Sequence, residues 1–181
     1  MVWPPMLRRS CETGAMNDPT GRLRDAGSAL LGLRDALVAG EPWPLSDDYG
    51  HTPESEWGPR EVLGHVDEML PYWIEQLQMV LAGDPAAAVP FGRIATDQSR
   101  LDRIAADRAK TAGTLLDEIA VGLDRACAFV ASLSSADAAR LGRHPSRGEI
   151  TIGASLEPFL VGHIEGHVVQ LREILADQRP A

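Results

Sequence analysis

The sequence is poor in lysine, cysteine and long apolar runs, and each shortage argues against a class of protein. The only lysine is Lys110, and 26 acidic residues against 17 basic ones give a formal charge of -9. Nucleic-acid binding needs clustered basic side chains, so this balance argues against a nucleic-acid partner. No segment reaches the roughly 18 apolar residues of a membrane helix, so we expect no contact with a membrane.

The two cysteines, Cys11 and Cys127, do not form a disulfide framework, which fits a reducing cytoplasm. The first twenty residues lack the apolar segment of a signal peptide, and either Met1 or Met16 fits as the natural start. We therefore expect a cytoplasmic protein with a flexible tail at 1–19. One domain is expected at 20–177, followed by a short tail at 178–181.

Apolar residues at three- and four-residue steps predict four helices. Pro71 lies inside the second helix and is expected to kink or break it. No segment alternates like a strand over any length. The pattern predicts an all-α protein, a four-helix bundle with long connections. The predicted helices span residues 20–38, 59–82, 95–133 and 151–177, and the longest loop is 40–58.

His163 and His167 form an H-x-x-x-H motif in the last helix. Four residues are about one helical turn, so the two rings share a face, the one that carries the leucines of this segment. A buried imidazole with an unmet polar group costs roughly 1–3 kcal/mol. A divalent metal ion would satisfy one nitrogen of each ring at once.

A third ligand is needed for a strong site, and His65 in the second helix is the best placed. Gln170, three residues after His167, is the expected hydrogen-bond partner behind the ligands. Glu61 and Glu68 flank His65. Either could serve as a fourth ligand or a base, but a solvated carboxylate is more common, so we expect both to be solvated. From these residues alone, a metal site and a hydrogen-bonded pair of core histidines are about equally supported.

The remaining histidines, His51 and His144, lie in segments that read as polar loops, so we expect them to titrate at the surface. Tyr49 and Trp57 belong to the loop at 40–58, which is long enough to cover a pocket. For either aromatic residue, ordinary packing is the more frequent role.

Two motifs together resemble the DinB-like superfamily. The first is Trp57-Gly-Pro-Arg-Glu-Val-Leu-Gly-His65, and the second is Gly162-His163-Ile-Glu-Gly-His167-Val-Val-Gln170-Leu171. The resemblance covers roughly residues 20–177 and implies a four-helix bundle with one long connection. It also implies that His65, His163 and His167 hold one divalent ion, with zinc or nickel ahead of iron.

The same resemblance implies a homodimer and, for some members, chemistry on a small-molecule substrate with a low-molecular-weight thiol, as in mycothiol-dependent maleylpyruvate isomerases. A metal-dependent thiol S-transferase or isomerase is therefore the first expectation, and a hydrolase the second. The alternative is a non-catalytic helical-bundle dimer that acts as a binding or stress-response module. That alternative is supported by the lack of an obvious base or nucleophile beside the histidines.

Overall fold

The computed structural model describes residues 18–47, 50–51 and 53–177. Cys11, Met16 and Tyr49, and the two tails apart from residues 18 and 19, lie outside these ranges. Within the described ranges the chain is mainly helical, as predicted. Its α-helices are α1 (Pro19–Leu31), α2 (Arg34–Ala39), α3 (Pro59–Ala82), α4 (Gln98–Asp107), α5 (Ala112–Ser132), α6 (Ser135–Ala138), α7 (Ile152–Leu156) and α8 (Gly162–Asp177).

The bundle consists of α1, α3, α5 and α8. Both α1 and α3 pack against α5 and α8. The helices α1 and α3 therefore lie diagonally opposite each other in the bundle. Leucine, isoleucine and methionine side chains fill the space between the helices, and each contributes roughly 1.5–3 kcal/mol by burial. None of the described helices is long and apolar enough to cross a membrane.

A small three-stranded sheet, which the sequence did not predict, covers one side of the bundle. Its strands are β1 (Val89–Pro90), β2 (Leu141–His144) and β3 (Gly148–Thr151). β2 pairs in parallel with β1 and antiparallel with β3. Strands of two to four residues are too short to produce a detectable alternation in the sequence.

Three of the four predicted helical segments are divided. The first segment splits after Gly32 into α1 and α2. The third segment splits into α4 and α5, and Thr111 caps α5 by accepting a hydrogen bond from the Thr114 amide. The prediction of one long third helix was therefore wrong. The last segment begins with the predicted Thr151 cap but contains a π-turn at Glu157–Val161 between α7 and α8.

The second segment is the exception, because α3 continues through Pro71 without a break. Proline removes one helical hydrogen bond and leaves the carbonyl four residues earlier without its donor. Pro71 itself is exposed, so its ring displaces no core side chain. The helix is therefore long enough to carry His65 near its start and Trp73 farther along.

Candidate metal centre

His65 of α3 and His163 and His167 of α8 come together between the two helices. The ring centroids lie 5.0 Å apart for His65 and His163, 5.2 Å for His65 and His167, and 4.7 Å for His163 and His167. Nε2 of His65 and Nε2 of His163 are 3.0 Å apart. The three histidines singled out in the sequence therefore form one cluster.

His167 is oriented by Gln170, as expected from their spacing. Gln170 Nε2 donates to the Glu54 carbonyl at 2.7 Å, so its Oε1 is the atom that faces His167 Nδ1, at 3.0 Å. Nδ1 must therefore carry the ring proton, and Nε2 keeps a free lone pair. His167 Nε2 is buried and has no hydrogen-bond partner among the described residues.

The π-turn before α8 contains a backbone partner of the His163 ring. The Pro158 carbonyl, which belongs to this turn, accepts a hydrogen bond from the His163 ring and thereby acts to raise its pKa. Because Nε2 faces His65, the nitrogen available to this carbonyl is Nδ1. His163 thus also presents a bare Nε2 lone pair to the centre of the cluster. π-turns of this kind often occur at functional sites.

His65 lies on the first turns of α3 and is almost completely buried, with Trp57 edge-on to its ring at 5.7 Å. Its Nδ1 is 3.5 Å from Arg100 Nη2 and 3.9 Å from Glu68 Oε2, both longer than a good hydrogen bond. Glu68 Oε2 is buried and has no hydrogen-bond partner among the described residues. A shift of about 1 Å would let His65 Nδ1–H donate to it.

All three imidazoles are neutral near physiological pH. Burial lowers the pKa of His65 well below its usual value and lowers that of His163 to about 3, and the neighbouring rings act in the same direction. Burial also lowers the pKa of His167, against the opposing effect of Gln170. Neutral rings have the free lone pairs that a metal ligand requires.

Glu54 is the fourth group of the cluster, and the sequence analysis missed it. Its Oε2 lies 3.9 Å from His65 Nε2 and 3.8 Å from His163 Nε2, while its Oε1 pairs with Arg100. One ligand atom from each of the four residues lies within 4.8 Å of all the others. Glu54 belongs to a short 3₁₀ turn (Glu54–Glu56) in the loop at 40–58.

The two glutamates that flank His65 are buried rather than solvated, which corrects the expectation for both. Glu61 accepts hydrogen bonds from the Ser46 amide, in the loop at 40–58, and from Arg108, in the connection between α4 and α5. Glu68 pairs with Arg93 through Oε1. Neither residue belongs to the four-residue cluster.

The donor set fits a divalent ion. A proton on His65 Nε2 would satisfy the 3.0 Å contact with His163 but would leave His167 Nε2 buried and unpaired. Nitrogen ligands near 2.0–2.1 Å from a zinc ion lie roughly 3 Å from one another, which matches that contact. One cation at the centre would satisfy all three lone pairs.

The cluster opens into a cavity of about 470 Å³. Glu54, His65 and His163 line this cavity, and Trp73 and Phe159 stack against each other in its wall with ring centroids 4.0 Å apart. Trp57 is buried against His65 and does not line this cavity.

His144 also lines the cavity, so placing it at the surface was wrong. Alternation along β2 turns Gly142 and His144 inward and leaves Leu141 and Arg143 exposed. The His144 ring stacks on Phe159 at a centroid distance of 4.9 Å. Its neighbours in sequence are polar and gave no signal of burial, whereas His51 is exposed as expected.

Comparison with known proteins agrees with this fold. A sequence model described as the DinB superfamily matches residues 13–171. Among solved structures, YfiT from Bacillus subtilis is similar with a TM-score of 0.66 and 16% sequence identity, over 97% of this chain and 93% of YfiT. That protein is described as a probable metal-dependent hydrolase with an unusual four-helix bundle topology. A search of curated proteins finds no matching sequence.

Proposed function

The chain belongs to the DinB superfamily, and from that premise we propose that it is a divalent-metal enzyme. The Nε2 atoms of His65, His163 and His167 are its protein ligands, and zinc or nickel is the expected ion, ahead of iron. The buried, unpaired Nε2 of His167 supports this assignment. A divalent cation held by these nitrogens supplies Lewis acidity, which activates a nucleophile and polarises an electrophilic carbonyl.

Hydrolysis is the reaction that the surroundings of the ligands support best. The observation that carries it is Glu54 Oε2, placed 3.8–3.9 Å from two ligand nitrogens at the cavity end. Arg100 holds the other carboxylate oxygen, which fixes the orientation of Glu54. Glu54 Oε2 then accepts the proton of the attacking water, the role of a general base. The description of YfiT as a probable metal-dependent hydrolase agrees with this choice.

The cavity favours an enzyme over a non-catalytic bundle. A binding module has no need of a carboxylate beside the ligands, and Glu54 supplies the base that the sequence did not reveal. A volume of about 470 Å³ is within the range of small-molecule sites. The substrate is therefore a small molecule.

The test is hydrolysis of a panel of small esters and amides by the zinc- or nickel-loaded protein. Glu54→Gln should lower kcat by roughly 10²-fold or more while one metal ion per chain is retained. Glu56→Gln, an exposed glutamate of the same turn, is the control and should keep full activity. Unchanged kcat in Glu54→Gln would contradict the role of Glu54. Turnover only with an added low-molecular-weight thiol would replace hydrolysis by thiol transfer.

The family resemblance also supports a homodimer. We propose this assembly for the metal-loaded chain, because helical bundles of this kind associate through helix packing. Sedimentation equilibrium should give twice the chain mass of 19.5 kDa. A single species at the chain mass over the micromolar range would contradict the dimer.

A further inference from the structure

A β-hairpin contributes to the wall of the cavity, and the proposed reaction does not use it. This cavity hairpin comprises residues 141–151, that is β2, the turn and β3. Gly148 adopts φ +71°, a left-handed conformation that glycine accepts without strain and that brings the chain back into β3. The hairpin brings His144, Ser146 and Arg147 to the cavity.

His144 is held in the cavity wall by contacts with the chain. Its Nδ1 accepts from the Ser146 amide at 3.3 Å, so the ring proton is on Nε2. His144 is 4% exposed, and its Nε2 is buried beside Gly92. Burial lowers the pKa of this ring, and the nearby Arg93 carbonyl opposes that effect. The chain therefore covers Nε2, and His144 contributes its ring, rather than an open N–H, to the cavity wall.

The His144 ring cannot easily turn away from the cavity. It lies against Phe159, and a Cβ built on Gly92 would come 2.4 Å from its Cδ2. Gly92 also has φ +78°, so both its conformation and the space beside it require glycine. The chain therefore holds the His144 ring, and with it this part of the cavity wall, in place.

Arg147 adds an uncompensated positive charge. Three arginines line the cavity, and two of them are paired, Arg93 with Glu68 and Arg100 with Glu54. Arg147 has no carboxylate partner among the described residues, and its guanidinium lies over Phe159, 5.3 Å from the ring centroid. Arg147 is exposed, and in a protein with a charge of -9 an arginine of the cavity wall with free donors is suited to bind an anion.

From this arrangement we propose that the cavity hairpin recognises the carboxylate of the substrate. This inference rests on the proposed function and names its substrate class: a small carboxylic acid with an apolar body. Arg147 donates to the carboxylate, while the body packs on the stacked rings of Trp73 and Phe159. One cation matches the single charge of a carboxylate better than the double charge of a phosphate.

The test measures binding of phenylacetate and phenylacetamide to metal-free protein by calorimetry and amide NMR shifts. Phenylacetate should bind about tenfold more tightly, since a hydrogen bond to a charged group is the stronger one. Arg147→Gln should remove that preference. Arg143→Gln is the matched control, because Arg143 lies on the same hairpin, is exposed, and pairs with Glu149.

Three results would overturn the proposal: equal affinity for the acid and the amide, an unchanged preference in Arg147→Gln, or no binding of either probe at millimolar concentration. Displacement of phenylacetate by a lower concentration of inorganic phosphate would assign the site to phosphate instead. Because the titration uses metal-free protein, its failure would leave the outcome of the metal and hydrolysis tests unaffected.

Discussion

Two clusters of side chains that could bind a metal ion each include one residue of α3, and their chemistry differs. The histidine cluster comprises Glu54, His65, His163 and His167, and the acidic cluster comprises Asp67, Asp107 and Glu118. In the acidic cluster, Lys110 lies 2.9 Å from Asp107, 2.5 Å from Glu118 and 3.9 Å from Asp67. Arg103 pairs with Asp107 as well.

Geometry alone therefore does not distinguish a metal site from an ion-pair network. The acidic cluster already contains its cations in Lys110 and Arg103. In the histidine cluster each nearby arginine is paired with a glutamate, and the nitrogen lone pairs have no cation of their own. The comparison teaches that unsatisfied lone pairs, rather than the proximity of ligand atoms, indicate a place for an external cation.

The largest expected effect concerns Gln170, which orients His167 without belonging to the cluster. Gln170→Leu should lower metal affinity by roughly 10–100-fold, since groups that hydrogen-bond metal-ligating histidines typically have effects of this size. Competition with a metal-binding dye measures the change. Gln170→Glu keeps the acceptor for His167 Nδ1 and should restore much of the affinity. Glu173→Gln, an exposed site on the same helix, is the control, and equal loss there would contradict the interpretation.

The second prediction concerns the pH dependence of the metal-free protein. His163 has a pKa of about 3 when folded against 6.5 in the unfolded chain, so the unfolded state binds more protons below pH 6.5. Stability should therefore fall with acidification, by about 2 kcal/mol at pH 5 from this group alone. Urea unfolding at pH 7 and pH 5 measures it. His51→Gln should keep the dependence, whereas a flat profile would show that the rings are not buried as neutral groups.

The smallest expected effect belongs to the acidic cluster. Lys110→Met should destabilise the fold by about 1 kcal/mol, because Asp107 is buried while Lys110 is partly exposed and its ion pairs are screened by solvent. Metal stoichiometry should not change. Thermal unfolding and elemental analysis give the two readouts. If the wild type binds a second metal ion per chain at the acidic cluster, the contrast between the two clusters is wrong.

The sequence predicted the parts of the structure that depend on local periodicity. The apolar stripes indicated the bundle, and the spacing of His163, His167 and Gln170 placed all three on one helix face. Glu54 and His144 were missed because their positions depend on contacts between distant segments. A polar loop residue has no periodic signal that distinguishes burial in a site from exposure to solvent.

The π-turn and the hairpin were missed for a related reason. Pro158 marks a disturbed helix, but the length of the turn depends on how α8 packs against α1 and α3. The hairpin itself is local, but its two strands have four residues each, and the sheet is completed by β1, about fifty residues earlier along the chain. Both elements shape the candidate site, so the sequence indicated the histidine cluster better than its surroundings.

The most direct test of the central claim is the metal content of the untagged protein after equilibration with zinc or nickel and removal of free ion, measured by inductively coupled plasma mass spectrometry. We expect one ion per chain in the wild type and in Asp107→Asn, and none in the double variant His163→Ala/His167→Ala, which should stay helical by circular dichroism. A full equivalent of metal in the folded double variant, or no metal in the wild type, would contradict the assignment of the histidine cluster as the metal centre.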